Sequence, residues 1–290
     1  MSLKSEYEQA KERLRLSGVP DPGLDAWYLL EHITGISRAS YYADPDREMT
    51  EAQRSAYARC VERRSGRVPL QHITGVQEFM GLEFRVNENV LIPRQDTEIL
   101  VEEALKCLRS GRLPDSGDLT EILDLCTGSG CIILSVIHHA GSGVKGLVRG
   151  TGSDLSERAL YVAEENGRRL GIRAEFIQSD LFENIPGKYS MILSNPPYIR
   201  SGDIDTLQEE VRLYDPRMAL DGKEDGLYFY RRIIEESTEH LKDGGYLMFE
   251  TGCSQADETA GMMREKGFSD IKVKKDLAGL DRVVYGRYIK

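Results

Sequence analysis

The tetrapeptide Asn195-Pro196-Pro197-Tyr198 follows the apolar run Met191-Ile192-Leu193-Ser194, and this order of residue types can hold a planar NH2 group. Proline fixes φ and lacks an N–H, and the residue before a proline is pushed out of the α region. Ser194 to Pro197 is therefore extended and stops pairing in a sheet. On that rigid rim the Asn195 side-chain oxygen and the Pro196 carbonyl are acceptors without an obligatory local partner, and Tyr198 offers a flat ring. Two acceptors and a ring suit an amide or amino nitrogen; the alternative is a proline-rich turn after a strand.

Upstream, Glu121-Ile122-Leu123-Asp124-Leu125 leads into Cys126-Thr127-Gly128-Ser129-Gly130 and then the apolar segment Cys131 to Ile137. The pattern predicts a strand, a tight turn that brings bare backbone against a ligand, and a buried helix whose N-terminus faces the turn. A dinucleotide fingerprint wants glycine three residues after Gly130, where Ile133 stands, and no Gly-Lys-Ser/Thr follows, so neither NAD, FAD nor a nucleotide cradle is indicated. Asp154 closes the next strand-like stretch and Asp180 a third. The first can accept from a ribose diol and the second from an adenine amino group, although either acid alone also reads as a helix cap. Together with the turn they outline an adenosine site at the carboxyl edge of a sheet, which S-adenosylmethionine fits better than a phosphate-bearing cofactor.

These motifs, with Leu29-Leu30-Glu31-His32-Ile33-Thr34-Gly35, Pro69-Leu70-Gln71-His72-Ile73-Thr74-Gly75, Val90-Leu91-Ile92-Pro93-Arg94-Gln95-Asp96-Thr97-Glu98, Asp215-Pro216-Arg217-Met218-Ala219-Leu220 and Asp225-Gly226-Leu227, resemble the PrmC/HemK glutamine methyltransferases. The resemblance runs through nearly the whole chain. It implies a class I S-adenosylmethionine-dependent methyltransferase, with a Rossmann-like seven-stranded α/β sheet behind a small N-terminal helical domain. It implies transfer of a methyl group to the glutamine of the Gly-Gly-Gln motif of class-one peptide release factors, with S-adenosylhomocysteine as the other product. The catalytic residues it points to are Asn195, Pro196, Pro197 and Tyr198. The cofactor-binding residues are Cys126, Thr127, Gly128, Ser129, Gly130, Asp154, Asp180, Leu181 and again Asn195.

Three positions depart from the family pattern: Cys126 stands where glycine is usual, Gln95 follows the arginine in place of proline, and Leu181 stands where some members have tryptophan. Cysteine tolerates a β-like conformation, so the turn is expected to survive unless position 126 needs φ > 0. Glu250, at the tip of a late strand, is an outside candidate for a supporting role. Three other activities remain open: methylation of a ribosomal-protein glutamine, methylation of an adenine amino group in DNA or RNA, and a non-catalytic scaffold that binds the methyl donor. Adenine chemistry would call for a basic recognition domain and a stacking surface, which the sequence does not present.

The elements that must position these residues divide in two. Residues 1 to 74 carry helical periodicity and charge, a hairpin-like connector spans 75 to 89, and from Val90 to residue 290 strands alternate with helices, as in a parallel doubly wound sheet. Gly244–Glu250, Ile271–Lys275 and Arg282–Ile289 are expected as the closing strands. The Gly/Ser/Pro stretches 113–118 and 141–146 read as loops. A net charge of −10 weighs against a broad nucleic-acid face. A local patch at Arg59, Arg63, Arg64 and Arg67 stays open for a partner or RNA, against a solvated helix face. Five scattered cysteines read as free thiols in a reducing compartment, and His138-His139 lacks ligand partners at metal-binding spacing. The expectation is a cytoplasmic monomer with no metal, no membrane segment and no stable nucleic-acid partner.

Overall fold

A computed structural model describes residues 1–111, 113, 119–141 and 146–290; the loops expected at 113–118 and 141–146 lie for the most part outside them. The chain forms two compact units, one of Met1–Val76 with Gln208–Tyr214, the other of Gln77–Leu207 with Asp215–Lys290.

The first unit is helical. Helices Leu3–Leu16, Pro22–Thr34 and Glu51–Ser65 bury Leu14, Trp27, Leu29, Leu30, Tyr57 and Val61 against one another. Helix Glu51–Ser65 begins on a capping box in which the Thr50 hydroxyl accepts from the Gln53 N–H while the Gln53 side chain accepts from the Thr50 N–H, so two orphan helix donors are satisfied. The short helix Glu209–Tyr214 joins this unit from far along the sequence. Arg64, 3% exposed, bridges Asp25 at 2.6 Å and Glu210 at 2.9 Å, and Arg67 lies 3.0 Å from Glu210. Two members of the arginine cluster are thus committed to internal ion pairs. Neither a four-residue basic patch nor a solvated face describes it, because burying a guanidinium requires paired carboxylates.

After the helices the chain forms the hairpin Val76–Phe79 (β1) and Leu82–Arg85 (β2), which belongs to the second unit from Gln77 on and whose turn residues Met80 and Gly81 both have positive φ, as a two-residue hairpin turn matched to strand twist requires. The second unit continues as a sheet that comprises Leu119–Leu125 (β3), Leu147–Asp154 (β4), Glu175–Gln178 (β5), Tyr189–Ser194 (β6), Leu241–Glu250 (β7), Phe268–Lys275 (β8) and Asp281–Tyr288 (β9). Their order is β5-β4-β3-β6-β7-β9-β8, parallel except that β9 runs antiparallel to both neighbours.

Period-2 alternation sends Met191 and Leu193 of β6 to one face, with helices Glu98–Arg109 and Cys131–Ala140, and Ile192 to the other, with helices Tyr228–His240 and Ala256–Glu265. Every residue of β6 is buried, which is why its sequence reads as an uninterrupted apolar run. Each such Leu or Ile contributes about 1.5–3 kcal/mol. The chain crosses from β3 to β4 on one side and later returns to β6 on the other. A crevice therefore opens at the carboxyl end of β3, the place where doubly wound sheets bind ligands. No helix among the described residues is long and apolar enough to cross a membrane.

Candidate active site

A cleft partly open to solvent lies at those strand ends within the second unit. Its floor is the turn after β3. The Thr127 N–H donates to the Ser153 carbonyl (2.9 Å) and the Gly128 N–H to Asp154 Oδ2 (2.9 Å), which lashes the turn to the end of β4. Asn166, fully buried in helix Glu157–Leu170, donates to the Ser129 carbonyl and exchanges hydrogen bonds with both backbone groups of Arg85 on β2. Gly130, at φ 78°, then caps helix Cys131–Ala140.

Cys126 adopts φ 59°, which corrects the β-like conformation expected from sequence. The position does need the left-handed region, and a side chain there carries strain of about 1–2 kcal/mol. Leu181, the other departure from the family pattern on this wall, is also left-handed, at φ 50°. The bonds that tie the turn to β4 impose a conformation that local preference at position 126 disfavours.

Asp154 ends β4 nearly buried. Its Oδ1 accepts from the Ser156 N–H at 2.9 Å, and burial pushes its pKa up while backbone N–H groups draw it back down. A carboxylate oxygen has two lone pairs, so both oxygens keep accepting capacity toward the cleft. Asp180 pairs with Arg232 through one oxygen at 2.8 Å. Asp124, fully buried beneath the turn, accepts from the Thr127 hydroxyl at 2.6 Å, and desolvation raises its pKa to about 7. Thr127 thus lines the cleft with its hydroxyl already committed. Two acids on the wall under a turn of bare backbone suit a ribose diol and an amino-bearing ring, and they oppose a phosphate.

On the opposite wall, β6 ends at Ser194, whose hydroxyl donates to the Leu125 carbonyl at 2.9 Å. Beyond it the Asn195 Nδ2 donates to Thr97 Oγ1 at 3.4 Å. This turns the amide so that Oδ1 is its uncommitted end among the described residues. Thr97 is 2% exposed. Glu250 ends β7 at 2% exposure, and desolvation raises its pKa to about 7.

The Tyr198 backbone is held from behind. Its carbonyl accepts from Gln255 Nε2 at 2.9 Å, and a Cβ on Gly222 would stand 2.7 Å from the Tyr198 Cα, so only glycine permits that approach. Arg94, at the mouth, pairs with the buried Asp215 at 2.7 Å. That contact joins two segments that are 121 residues apart in sequence.

Of the residues singled out from sequence, Cys126, Thr127, Gly128, Ser129, Asp154, Asp180, Leu181, Asn195 and Pro197 line this one cleft. Gly130, Pro196 and Tyr198 do not: Gly130 is the helix cap, Pro196 is buried, and Tyr198 packs on the core. Sequence reasoning passed over Thr97 and Asn166. The signal for Asn166 was a lone amide on the buried stripe of an amphipathic helix; Thr97 carries no local signal. Among the described residues no cysteine is in a disulfide, and His138 and His139 sit in helix Cys131–Ala140.

Two family models match the chain, "PrmC N-terminal domain" over residues 7–75 and "Methyltransferase small domain" over residues 100–212. The release factor glutamine methyltransferase of Geobacter sulfurreducens is 40% identical over 99% of this chain and 96% of its own length. That of Caulobacter vibrioides is 37% identical over 99% and 96%. Among solved structures, a methyltransferase from Pyrococcus furiosus superposes with a TM-score of 0.52 at 15% identity, over 79% of this chain and all of that one, which is a likeness of fold. With such identity sustained along both units and a methyltransferase sheet beneath the cleft, the chain belongs to the release factor glutamine methyltransferase family.

Proposed function

We propose that the protein methylates the side-chain amide nitrogen of the glutamine in the Gly-Gly-Gln motif of class-one peptide release factors, with S-adenosylmethionine as donor. When bound, S-adenosylmethionine supplies a methyl group made electrophilic by its sulfonium and leaves as S-adenosylhomocysteine. The observation that carries the reading is the Asn195 amide, held through Nδ2 by Thr97 with Oδ1 left to accept.

An amide nitrogen is a poor nucleophile because its lone pair is delocalised into the carbonyl. Asn195 Oδ1 accepts one N–H of the substrate amide. The Pro196 carbonyl, bonded to the ring nitrogen of the cleft-lining Pro197, accepts the other. Both oxygens fix the nitrogen in line with the methyl group and stabilise the positive charge that grows on it. The new N–C bond forms as the S–C bond breaks, and the displaced N–H proton passes to water. Across the cleft, Asp154 would hold the ribose hydroxyls, the second oxygen of Asp180 would accept from the adenine amino group, and Leu181 would cover the ring.

The helical unit, which holds none of these groups, we assign to recognition of the release factor in the cytoplasm. The test is incubation with labelled donor and purified release factor, intact or lacking the Gly-Gly-Gln glutamine. Label in the intact factor alone is expected; label in both, or in neither, overturns the reading.

A further inference from the structure

Residues 91–94 form neither helix nor strand, yet they lead to Thr97, whose hydroxyl oxygen accepts from Asn195 Nδ2 at 3.4 Å. No strand pairing sets where that hydroxyl stands. Val90 and Ile92 are buried, and beyond them charged side chains fix the segment at alternate positions. Arg94 pairs with Asp215 at 2.7 Å, Asp96 with Arg282 at 3.2 Å, and the Glu98 carboxylate accepts from the Met80 N–H at 2.7 Å. The three partners come from separate places: ahead of helix Arg217–Leu220, the start of β9, and the turn between β1 and β2. Thr97 lies between the second contact and the third.

Arg282 is itself fixed to the sheet. Its carbonyl accepts from the Thr251 N–H at 2.8 Å, just past the end of β7. Its guanidinium, a planar fork of five donors, reaches Asp276 at 3.0 Å and the Thr251 carbonyl at 3.4 Å as well as Asp96. Asp276 is held in turn by the bend between β8 and β9, where its carboxylate accepts from the Ala278 and Leu280 N–H groups, both at 2.9 Å. Asp96 is thus tied to a rigid corner of the sheet, and its neighbour in sequence carries the hydroxyl that meets Asn195.

We propose that Asp96 is a positioning residue for methyl transfer: held by Arg282, it fixes the adjoining Thr97 hydroxyl and through it the orientation of the Asn195 amide. The inference rests on the functional reading above for the identity of the substrate, and the chain of contacts does not depend on it. A separation of 3.4 Å is long for an N–H···O bond, so a small displacement of Thr97 breaks it. The amide is then free to turn its NH2 toward the substrate NH2, donor against donor. A misplacement of about 1 Å at a reacting centre can cost on the order of 100-fold in rate.

The Asp96 side chain is 49% exposed, and an ion pair open to solvent adds little to stability, so its removal leaves the fold intact. Arg282→Ala would also strip Asp276 and the Thr251 carbonyl. The test therefore compares Asp96→Ala, Asp96→Asn, Thr97→Val and the Asp96→Ala, Thr97→Val pair in the full chain. Single-turnover transfer to release factor at saturating donor should fall about tenfold in Asp96→Ala, with S-adenosylhomocysteine affinity within about twofold of wild type. Asp96→Asn, which keeps an oxygen for Arg282, should recover to within about threefold of wild type. With Thr97→Val already present, Asp96→Ala should cost no more than about twofold further. The Asn195 side-chain NH2 signals, followed by NMR, should shift in Asp96→Ala and return in Asp96→Asn. A wild-type rate in Asp96→Ala, a donor affinity that falls in step with the rate, an undiminished effect beside Thr97→Val, or Asn195 signals indifferent to Asp96→Ala would each overturn the proposal. Asn195 signals that respond in a protein transferring no methyl to release factor would sustain the positioning and overturn the substrate assignment.

Discussion

The two walls of the cleft are built by different means. On the cofactor wall, backbone does the positioning: Cys126 and Leu181 sit at positive φ, and the turn is held by its own N–H groups on Ser153 and Asp154. On the facing wall, a side-chain contact does it, the hydrogen bond from Asn195 Nδ2 to Thr97 Oγ1 between residues 98 positions apart in sequence. A wall set by backbone bonds accepts a changed side chain provided the conformation survives, so cysteine can stand where the family has glycine. A wall set by a side-chain hydrogen bond does not tolerate the loss of either partner, because the buried polar group left behind is unsatisfied.

Asn195→Ala should break the second wall and leave the first. Loss of an acceptor made for the transition state is expected to lower single-turnover transfer by about 100-fold or more, read with release factor at saturating donor. A rate within tenfold of wild type would remove Asn195 from the chemistry.

Asp154→Ala should do the converse. It removes an acceptor for the ribose diol and the partner of the Gly128 N–H. The affinities for S-adenosylmethionine and S-adenosylhomocysteine are both expected to fall by about 2 kcal/mol, roughly 30-fold. Equilibrium dialysis with each ligand checks this, and unchanged affinity for both would take Asp154 out of the site.

The smallest effect sharpens the contrast from the backbone side. Cys126→Gly removes a side chain from a left-handed residue, a relief of about 1–2 kcal/mol, and adds freedom to the unfolded chain, a loss of about 0.4–1 kcal/mol. A net gain of about 0.5–1 kcal/mol is expected, seen as a raised thermal midpoint with donor binding preserved. A destabilised glycine variant would mean that Cys126 contributes packing that outweighs its strain.

The sequence made the second wall's end points visible and its wiring invisible. Asn195-Pro196-Pro197-Tyr198 announces itself because proline geometry is local, and the glycine turn and strand-end acids are legible for the same reason. Thr97 and Asn195 are 98 positions apart, and no local pattern relates them. Tyr198, expected against the substrate, does not line the cleft and packs on the core.

At Cys126 the reading erred in the other direction. Local preference says β, and the hydrogen bonds to β4 override it. Arg64 looked like surface charge because its partners, Asp25 and Glu210, come from 39 and 146 residues away. The alternation of strands and helices that gives the sheet was legible because each element is periodic on its own; the return of Gln208–Tyr214 to the helical unit was not.

The division of labour between the walls is tested most directly by calorimetric titration of S-adenosylhomocysteine into wild type, Asn195→Ala and Asp154→Ala under one set of conditions. The account predicts wild-type affinity, within about twofold, for Asn195→Ala and roughly 30-fold weaker binding for Asp154→Ala. Equal weakening in both variants would contradict it, because Asn195 would then belong to the cofactor wall and the cleft would have no separate place for the substrate amide.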